Sequence, residues 1–326
     1  MKFGILGAGG IARVMANTIR QMRDVECTAI AARDGARARS FADEYGFRKA
    51  YGSYEQLLAD PEVELVYIAL PHSHHCLWTK KALQAGKHVL CEKAFAINQT
   101  QAREMIELAR EKGLLLAEAL WTRYLPSRRM IDELIAGGAI GEVISVSANL
   151  GYSIDMSERI IRPELAGGAL LDLTVYTLNF ASMVLGDDIA AIDGVCVLTD
   201  TGVDGQDSIT IRYRDGKMAT MQTSIYSLTD RRGMIYGRDG FIEVQNINNP
   251  GAIRVWSNDR RPGPRLLKEL TVPAQITGFE YEVEACARAI AAGATECPEM
   301  PHAQTLEIMR QMDTIRAQFG IVYPGE

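Results

Sequence analysis

The chain has 326 residues, of which 47% are apolar and 23% charged, and 35 basic against 41 acidic residues give a formal charge of −6. These values exclude a disordered, a collagen-like or a small disulfide-stapled protein, and at about 150 residues per domain they predict two domains. The acidic balance argues against nucleic acid or a membrane surface as a partner, because both favour basic proteins.

The apolar runs are interrupted before the roughly 18 residues that a spanning helix needs, and the chain opens directly into a strand pattern rather than a leader. Six cysteines are scattered without a CxxC pair. That distribution indicates reduced thiols. We therefore expect a cytoplasmic protein.

Residues 1–120 alternate between short apolar runs and helical patterns. The clearest helix is predicted over Gln99–Lys112, with Asn98 and Gly113 as its caps. The predicted strands are Lys2–Leu6, Glu26–Ala31, Leu65–Leu70, His88–Cys91 and Leu114–Ala117. This alternation is typical of βαβ units, so we expect an α/β domain with a doubly wound parallel sheet.

The pattern changes after residue 120. A predicted helix over Arg128–Ala136 precedes alternating runs separated by Gly and Asp turns. These runs are Val143–Asn149, Ser208–Tyr213, Ala219–Ile225 and Phe241–Gln245. We expect residues 121–326 to form an α+β domain on a mainly antiparallel sheet, closed by helices near Gly278–Ala292 and Ala303–Phe319.

A glycine-rich turn follows the first strand and opens a helix. Gly7, Gly9 and Ala12 form the pattern G-x-G-x-x-A, which suits a tight turn, close approach of a pyrophosphate and close helix packing. The helix start supplies free N–H groups and a positive dipole for phosphates. We predict a dinucleotide site at Gly7, Gly9, Gly10, Ile11 and Ala12.

The end of the second strand bears on which dinucleotide binds. An NAD enzyme usually carries an acidic residue there for the ribose 2′-hydroxyl. Here Arg33 stands at that end and Arg37 follows one turn later. A guanidinium can bind a 2′-phosphate in a forked manner, which favours NADP. Asp34 keeps NAD open as the alternative, with both arginines then being solvated charges.

Two further sets of residues suggest chemistry. Lys93 follows the strand His88–Cys91, at the end of a parallel sheet where ligands bind. Asp172 and Tyr176 are four residues apart in a segment that is apolar from Ala169 to Leu185, so they share one face of a buried helix. A buried carboxylate needs a cation or several donors. The alternative is an internal Asp that satisfies the Tyr hydroxyl.

Together these residues resemble the glucose–fructose oxidoreductase/inositol dehydrogenase/MocA family over the full chain, and within it the dimeric dihydrodiol dehydrogenase branch. The family motifs are Gly7–Ala12, Pro71 with His75, Glu92 with Lys93, and Gly167–Asp172 with Tyr176. The branch is resembled in Glu118–Pro126, Thr201–Asp204 and Met300–Ala303. One departure is Ala94, where the family usually has Pro.

The resemblance implies a Rossmann domain, NAD(P)-dependent oxidation of sugars, polyols or cyclic diols, and a homodimer or homotetramer formed through the C-terminal sheet. It implies that Lys93, Asp172 and Tyr176 are catalytic. It also implies that Leu70, Pro71, His75, Glu92 and Lys93 line the cofactor site.

Two versions of the proton transfer stay open. Tyr176 can accept the hydroxyl proton with the Lys93 ammonium beside it, or Lys93 can be the base with Tyr176 as an orienting donor. Two other functions also stay open: a dinucleotide-binding regulator without catalysis, and a glycosidase that uses bound NAD. The presence of Lys93, Asp172 and Tyr176 together argues against the regulator.

His72–Cys76 holds four potential metal ligands, but residues so close together cannot all face one ion. We expect no metal and interpret the segment as a cofactor-side loop entering a helix. Trp121, Arg123 and Tyr152 are candidate substrate residues, with interdomain packing as the alternative for Trp121. Arg159 and Arg162 are expected to be solvated, with a loop over the substrate as the alternative.

Overall fold

The computed structural model describes residues 1–324 and 326, and it divides the chain into two compact units. The first comprises Met1–Tyr124 and Gln275–Leu306, and the second comprises Leu125–Ala274 and Glu307–Glu326. The predicted boundary at residue 120 separates a dinucleotide-binding domain from a substrate-binding domain, and this functional division stays a prediction. As a division of packing it differs in two respects, because the first unit extends to Tyr124 and also includes residues 275–306.

The first unit is built on a parallel sheet whose strands follow the order β3-β2-β1-β4-β5-β6. The strands are β1 (Lys2–Leu6), β2 (Glu26–Ala31), β3 (Lys49–Tyr51), β4 (Leu65–Ile68), β5 (His88–Glu92) and β6 (Leu116–Ala119). The helices between them are α1 (Gly10–Ile19), α2 (Gly35–Tyr45), α3 (Tyr54–Leu58), α4 (His72–Gln84) and α5 (Gln99–Lys112). This strand order is that of a dinucleotide-binding doubly wound fold.

The second unit is built on an eight-stranded sheet of order β14-β13-β12-β11-β7-β10-β9-β8. Its strands are β7 (Val143–Gly151), β8 (Ile189–Leu198), β9 (Asp204–Tyr213), β10 (Met218–Ser224), β11 (Gly233–Gly237), β12 (Gly240–Val244), β13 (Ala252–Ser257) and β14 (Leu266–Thr271). All neighbouring pairs are antiparallel except β7 with β10, which are parallel. The predicted fold class is therefore confirmed.

Three helices belong wholly to the second unit: α6 (Pro126–Ala136), α7 (Glu158–Ile161) and α8 (Val175–Leu185). A π-helical turn over Leu170–Thr174 leads directly into α8. Near the end of the chain, α9 (Glu280–Ala291) lies in the first unit, and the two units divide within α10 (His302–Phe319).

The segment Pro163–Leu185 is long and apolar enough to cross a membrane by length and composition alone, which corrects the expectation that every apolar run is too short. However, 83% of its most apolar stretch is buried inside the protein. Burial of that extent is expected of a core helix in a soluble enzyme fold.

Helix α5 is formed as its sequence predicts. The Asn98 side chain accepts the N–H of Gln101 at 2.9 Å, and Gly113 adopts the left-handed conformation with φ of +63°. The N–H of Leu114 still bonds to the carbonyl of Ala109. Because that bond belongs to the helix end, β6 begins at Leu116, two residues later than predicted.

Candidate active site

The turn after β1 is shaped for close approach by a phosphate. Gly7 has φ of +103°, and a Cβ there would lie 2.4 Å from the carbonyl oxygen of Ala69. A Cβ on Gly9 or Gly10 would meet nothing within 4 Å, so the backbone is open on that side. Gly9 provides no side-chain cap for α1. The first N–H groups of α1, at Gly10, Ile11 and Ala12, therefore form a helix terminus of the kind that suits an anion, and their role in cofactor binding stays a prediction.

Two arginines follow β2, and one of them, Arg37, lies beside this turn. Arg37 Nη2 donates to the carbonyl oxygen of Ala8 at 2.7 Å, which fixes its guanidinium against the glycine loop. Arg33 and Arg37 both act electrostatically on Tyr54, and Arg33 also acts on His74. Asp34 is used locally, because its carboxylate caps α2 by accepting the N–H of Ala36 at 2.8 Å. The end of β2 is thus a cationic corner.

His75 connects the loops after β4 and β5. Its ring is fully buried, with Nε2 at 2.8 Å from the carbonyl oxygen of Leu70 and Nδ1 at 2.8 Å from that of Ala94. Burial lowers the pKa of His75 to about 4, while its two carbonyl contacts act in the opposite direction. Pro71, the residue before α4, supplies no side-chain cap, which leaves a second open helix terminus at this edge.

Lys93 leaves β5 beside a buried carboxyl group. Glu92 accepts a hydrogen bond from the Tyr67 hydroxyl and another from the backbone N–H of Lys93 at 3.2 Å. The Lys93–Ala94 peptide is cis. With Glu92 on one side and the His75 contact to Ala94 on the other, the backbone of Lys93 is held on both sides. Tyr67 was not identified from the sequence, because one tyrosine inside an apolar strand carries no distinguishing signal.

In the second unit, the π-helical turn carries Asp172 and leads into the turn of α8 that carries Tyr176, whose side chain is 8% exposed. Asp172 is 3% exposed, and the guanidinium of Arg159 donates to its two oxygens at 2.9 and 3.4 Å. Arg159 is exposed as expected, with 51% of its side chain accessible, but its guanidinium also pairs with the buried carboxylate, a contact that the sequence does not predict. Arg162 pairs instead with the exposed Glu158 and Glu164.

The candidate substrate residues have partners of different kinds. The Trp121 ring stacks on Phe279 at 4.7 Å, within the first unit. Burial raises the pKa of the Glu118 carboxyl to about 7, and the positive charge of Arg123 offsets part of this rise. The Tyr152 hydroxyl accepts from Asn248 at 3.2 Å in the second unit. A substrate role for these three residues stays a prediction, as does the convergence of Lys93 with Asp172 and Tyr176.

The His72–Cys76 segment forms the start of α4. Within residues 1–324 and 326, no group of three or more His, Cys, Asp or Glu is placed to hold a metal ion.

Comparison with known families gives matches in both units. Residues 1–120 match the family model described as "Oxidoreductase family, NAD-binding Rossmann fold". Residues 129–243 match the "GFO/IDH/MocA C-terminal domain". These matches confirm the resemblance that the motifs indicate.

Curated relatives match along the whole chain. Trans-1,2-dihydrobenzene-1,2-diol dehydrogenase from Danio rerio is 33% identical over 330 residues, covering 99% of this chain and 98% of that protein. D-xylose 1-dehydrogenase (NADP(+)) from Hypocrea jecorina is 34% identical over 369 residues, covering 99% and 93%.

Solved structures share the fold. A 3-ketoreductase from Actinomadura kijaniata, in complex with NADP and TDP-benzene, has a TM-score of 0.88 and 26% identity, covering 97% of each chain. The aldose-aldose oxidoreductase from Caulobacter crescentus has a TM-score of 0.87 at 23% identity, covering 99% of each chain.

The Arg159–Asp172 pair leads to a stability prediction. Arg159→Met removes charge-assisted hydrogen bonds from a buried carboxylate, and such bonds contribute about 1–2 kcal/mol when one partner is half exposed. Urea unfolding should therefore show a lower free energy of unfolding. Arg162→Met is the matched control and should change little, because its partners are on the surface. Equal effects of the two substitutions would contradict a special role for Arg159.

Proposed function

This chain belongs to the GFO/IDH/MocA oxidoreductase family, and on that premise we propose that it transfers a hydride between NADP and a carbinol carbon of a small polyol, sugar or cyclic trans-diol. The proposal rests on the residues that meet at the carboxyl edge of the six-stranded sheet. There the uncapped α1, the two arginines and Lys93 follow β1, β2 and β5. The substrate classes are those named for the relatives, a dihydrodiol and D-xylose.

The residues at this edge fit NADP. The N–H groups at the start of α1 suit the pyrophosphate, and the open backbone at Gly9 leaves room for it. Arg33 and Arg37 supply guanidinium groups for a 2′-phosphate, whereas the Asp34 carboxylate is already engaged as a helix cap. When bound, NADP supplies the nicotinamide ring that accepts or donates the hydride.

The chain's own residues then manage the substrate proton. We place Tyr176 as the acceptor of the hydroxyl proton and the Lys93 ammonium beside it. A free tyrosine has a pKa near 10, and a neighbouring cation favours the phenolate. Asp172 orients Lys93 and a second substrate hydroxyl, and Arg159 holds the Asp172 carboxylate in place. The alternative assignment makes Lys93 the base and Tyr176 an orienting donor.

The six cysteines all lie in the described part of the chain and are all free thiols. Free thiols support our proposal of a cytoplasmic location, since oxidising compartments favour disulfides.

We also propose a homodimer or homotetramer that forms through the face of the eight-stranded sheet turned away from α8. On β7, β9, β10 and β11 the outward side chains are mostly uncharged, whereas Asp193, Arg254 and Glu269 are charged positions on the outer strands. Exposed uncharged examples are Val195, Val197, Ser208, Met218, Thr220 and Tyr236. A sheet face whose central strands carry few charges can pack against its own copy. We propose this face as the surface through which copies of the chain bind each other.

The catalytic assignment is tested by Tyr176→Phe. Loss of a general acid–base group should lower kcat by roughly 10²- to 10⁴-fold in steady-state assays with dihydrodiols, aldoses and inositols. NADP affinity, measured by cofactor fluorescence, should not change. Tyr281→Phe is the control, because Tyr281 lies on α9 outside the proposed site. Unchanged turnover in Tyr176→Phe would remove this residue from the mechanism.

Cofactor choice is tested at the cationic corner. Arg33→Ser and Arg37→Ser should each raise the Kd for NADP by roughly 10- to 100-fold, the effect of losing a charge-assisted hydrogen bond. The Kd for NAD should stay the same, since NAD has no 2′-phosphate. Arg39→Ser, exposed on the same helix, serves as the control. Equal losses for both dinucleotides would show that the arginines support the loop and do not select NADP.

The oligomer is tested by Thr220→Arg in the middle of the sheet face. A buried unpaired guanidinium should lower the molar mass measured by light scattering to that of the monomer. Glu111→Arg, exposed on α5, should leave the mass of the assembly unchanged. A wild-type chain that is monomeric at assay concentration would contradict the proposal.

A further inference from the structure

Two aspartates of β9 lie beneath the segment that carries Asp172. Asp204 is 0% exposed and Asp207 is 2% exposed. Asp204 Oδ2 accepts the backbone N–H of Leu170, and Asp207 Oδ2 accepts the Thr174 hydroxyl at 2.7 Å. These two anchors lie two residues before and two residues after Asp172. The π-helical turn is therefore held from below at both ends.

Each of these carboxyl groups has one buried oxygen without a hydrogen-bond donor, Oδ1 of Asp204 and Oδ1 of Asp207. The two aspartates are three residues apart on β9, and each carboxyl group acts on the pKa of the other. Two carboxylates so close cannot both be ionised in a buried site. One proton placed between them gives both remaining oxygens a partner.

We propose that Asp204 and Asp207 share a single proton and act as positioning residues, holding the segment Leu170–Tyr176 in the geometry that its catalytic side chains need. The positioning role rests on the proposed function, whereas the shared proton does not. Neither aspartate contacts the reacting atoms in this proposal. They act through the backbone at Leu170 and the side chain of Thr174.

Local chemistry supports the shared proton. Burial raises the pKa of Asp204 to about 6, and burial together with the charge of Asp204 raises the pKa of Asp207 well above its usual range. The pair therefore holds one proton and one negative charge at neutral pH. That charge lies at the start of the helical segment, where the helix dipole favours an anion.

Gly168 is the residue that allows this approach. Its φ is +108°, and a Cβ there would lie 2.2 Å from Asp204 Oδ1. The segments Gly167–Asp172 and Thr201–Asp204 are thus parts of one arrangement. In it, the Asp204 carboxylate accepts the N–H of Leu170 and lies against Gly168, which has no side chain to block it.

The other groups that face the pair are mostly neutral. Thr223 lies 2.7 Å from the Thr174 hydroxyl and 3.3 Å from Asp207 Oδ2. The buried Tyr323 hydroxyl and the Cys196 thiol both experience the charge of the pair, which together with burial raises their pKa values. Arg316 lies over the Tyr323 ring at 4.9 Å. Among the described residues, neither Asp204 nor Asp207 takes part in a salt bridge of 4.0 Å or less.

The shared proton is tested by thermal unfolding of wild type and Asp207→Asn between pH 5 and 9. A carboxyl group whose pKa is higher in the folded than in the unfolded protein contributes to folding stability, and this contribution is fully present below the unfolded pKa. The contribution is lost as pH rises through the folded pKa. The amide that replaces the carboxyl in Asp207→Asn donates permanently and does not titrate. The Tm of Asp207→Asn minus that of wild type should therefore become more positive as pH rises. A difference that is constant across this range would overturn the shared proton.

The positioning role is tested with Asp207→Leu and, in case that variant does not fold, Thr174→Val. Hydrogen exchange of peptides spanning residues 170–176 should be faster in both than in wild type. In the diol and aldose assays, kcat should fall roughly 10- to 100-fold, the usual effect of small misplacement, with the Kd for NADP unchanged. Asp207→Asn should restore both readouts. Asp43→Asn, exposed on α2 and outside both this segment and the proposed oligomer face, is the matched control.

The outcomes separate the two proposals. If wild type reduces NADP with no substrate of the panel, the proposed function fails, while exchange and pH-dependent unfolding still decide the role of the pair. If folded Asp207→Leu or Thr174→Val shows wild-type exchange and wild-type kcat, the positioning role is overturned. If Asp207→Asn is as impaired as Asp207→Leu, the pair needs a second charge rather than a shared proton, and the proposal is overturned.

Discussion

The uncapped start of α1 is the constraint on which the functional surface of the first unit depends. A helix terminus without a side-chain cap leaves N–H groups that an anion can satisfy. Because α1 begins directly after β1 in the middle of the sheet, the loops after the neighbouring strands meet the same edge. Arg37 is tied to that loop through Ala8, and His75 ties the two loops on the other side.

The second unit is subject to a different constraint, because it buries carboxylates in and beside an apolar segment. Leu170–Leu185 is apolar nearly all round, so every polar group in it must be satisfied from inside the protein. Arg159 donates hydrogen bonds to the Asp172 carboxylate, and the Asp204–Asp207 pair accepts hydrogen bonds from the Leu170 N–H and the Thr174 hydroxyl. The same contacts that permit burial also fix the residues assigned to catalysis.

The sequence predicts the parallel sheet, the glycine turn and the α5 caps well, because these depend on local patterns of two to four residues. It misses β3, β8, β11, β13 and β14, of which β3 has three residues and β3, β8 and β14 lie at sheet edges. Partners distant in sequence are also missed. Nothing local distinguishes Tyr67 from an ordinary core residue, Arg159 from an unpaired surface charge, or Asp207 from a surface acid, because each is defined by a contact that only the fold creates.

The central claim is that Lys93 and Tyr176 act on one substrate hydroxyl beside the nicotinamide of NADP. A crystal structure of the complex with NADP and a non-reacting diol analogue tests it most directly. The account predicts the Lys93 amine and the Tyr176 hydroxyl within hydrogen-bond distance of the same ligand oxygen, about 2.6–3.2 Å. A complex in which either group lies beyond reach of that oxygen, with the dinucleotide bound along α1, would contradict it.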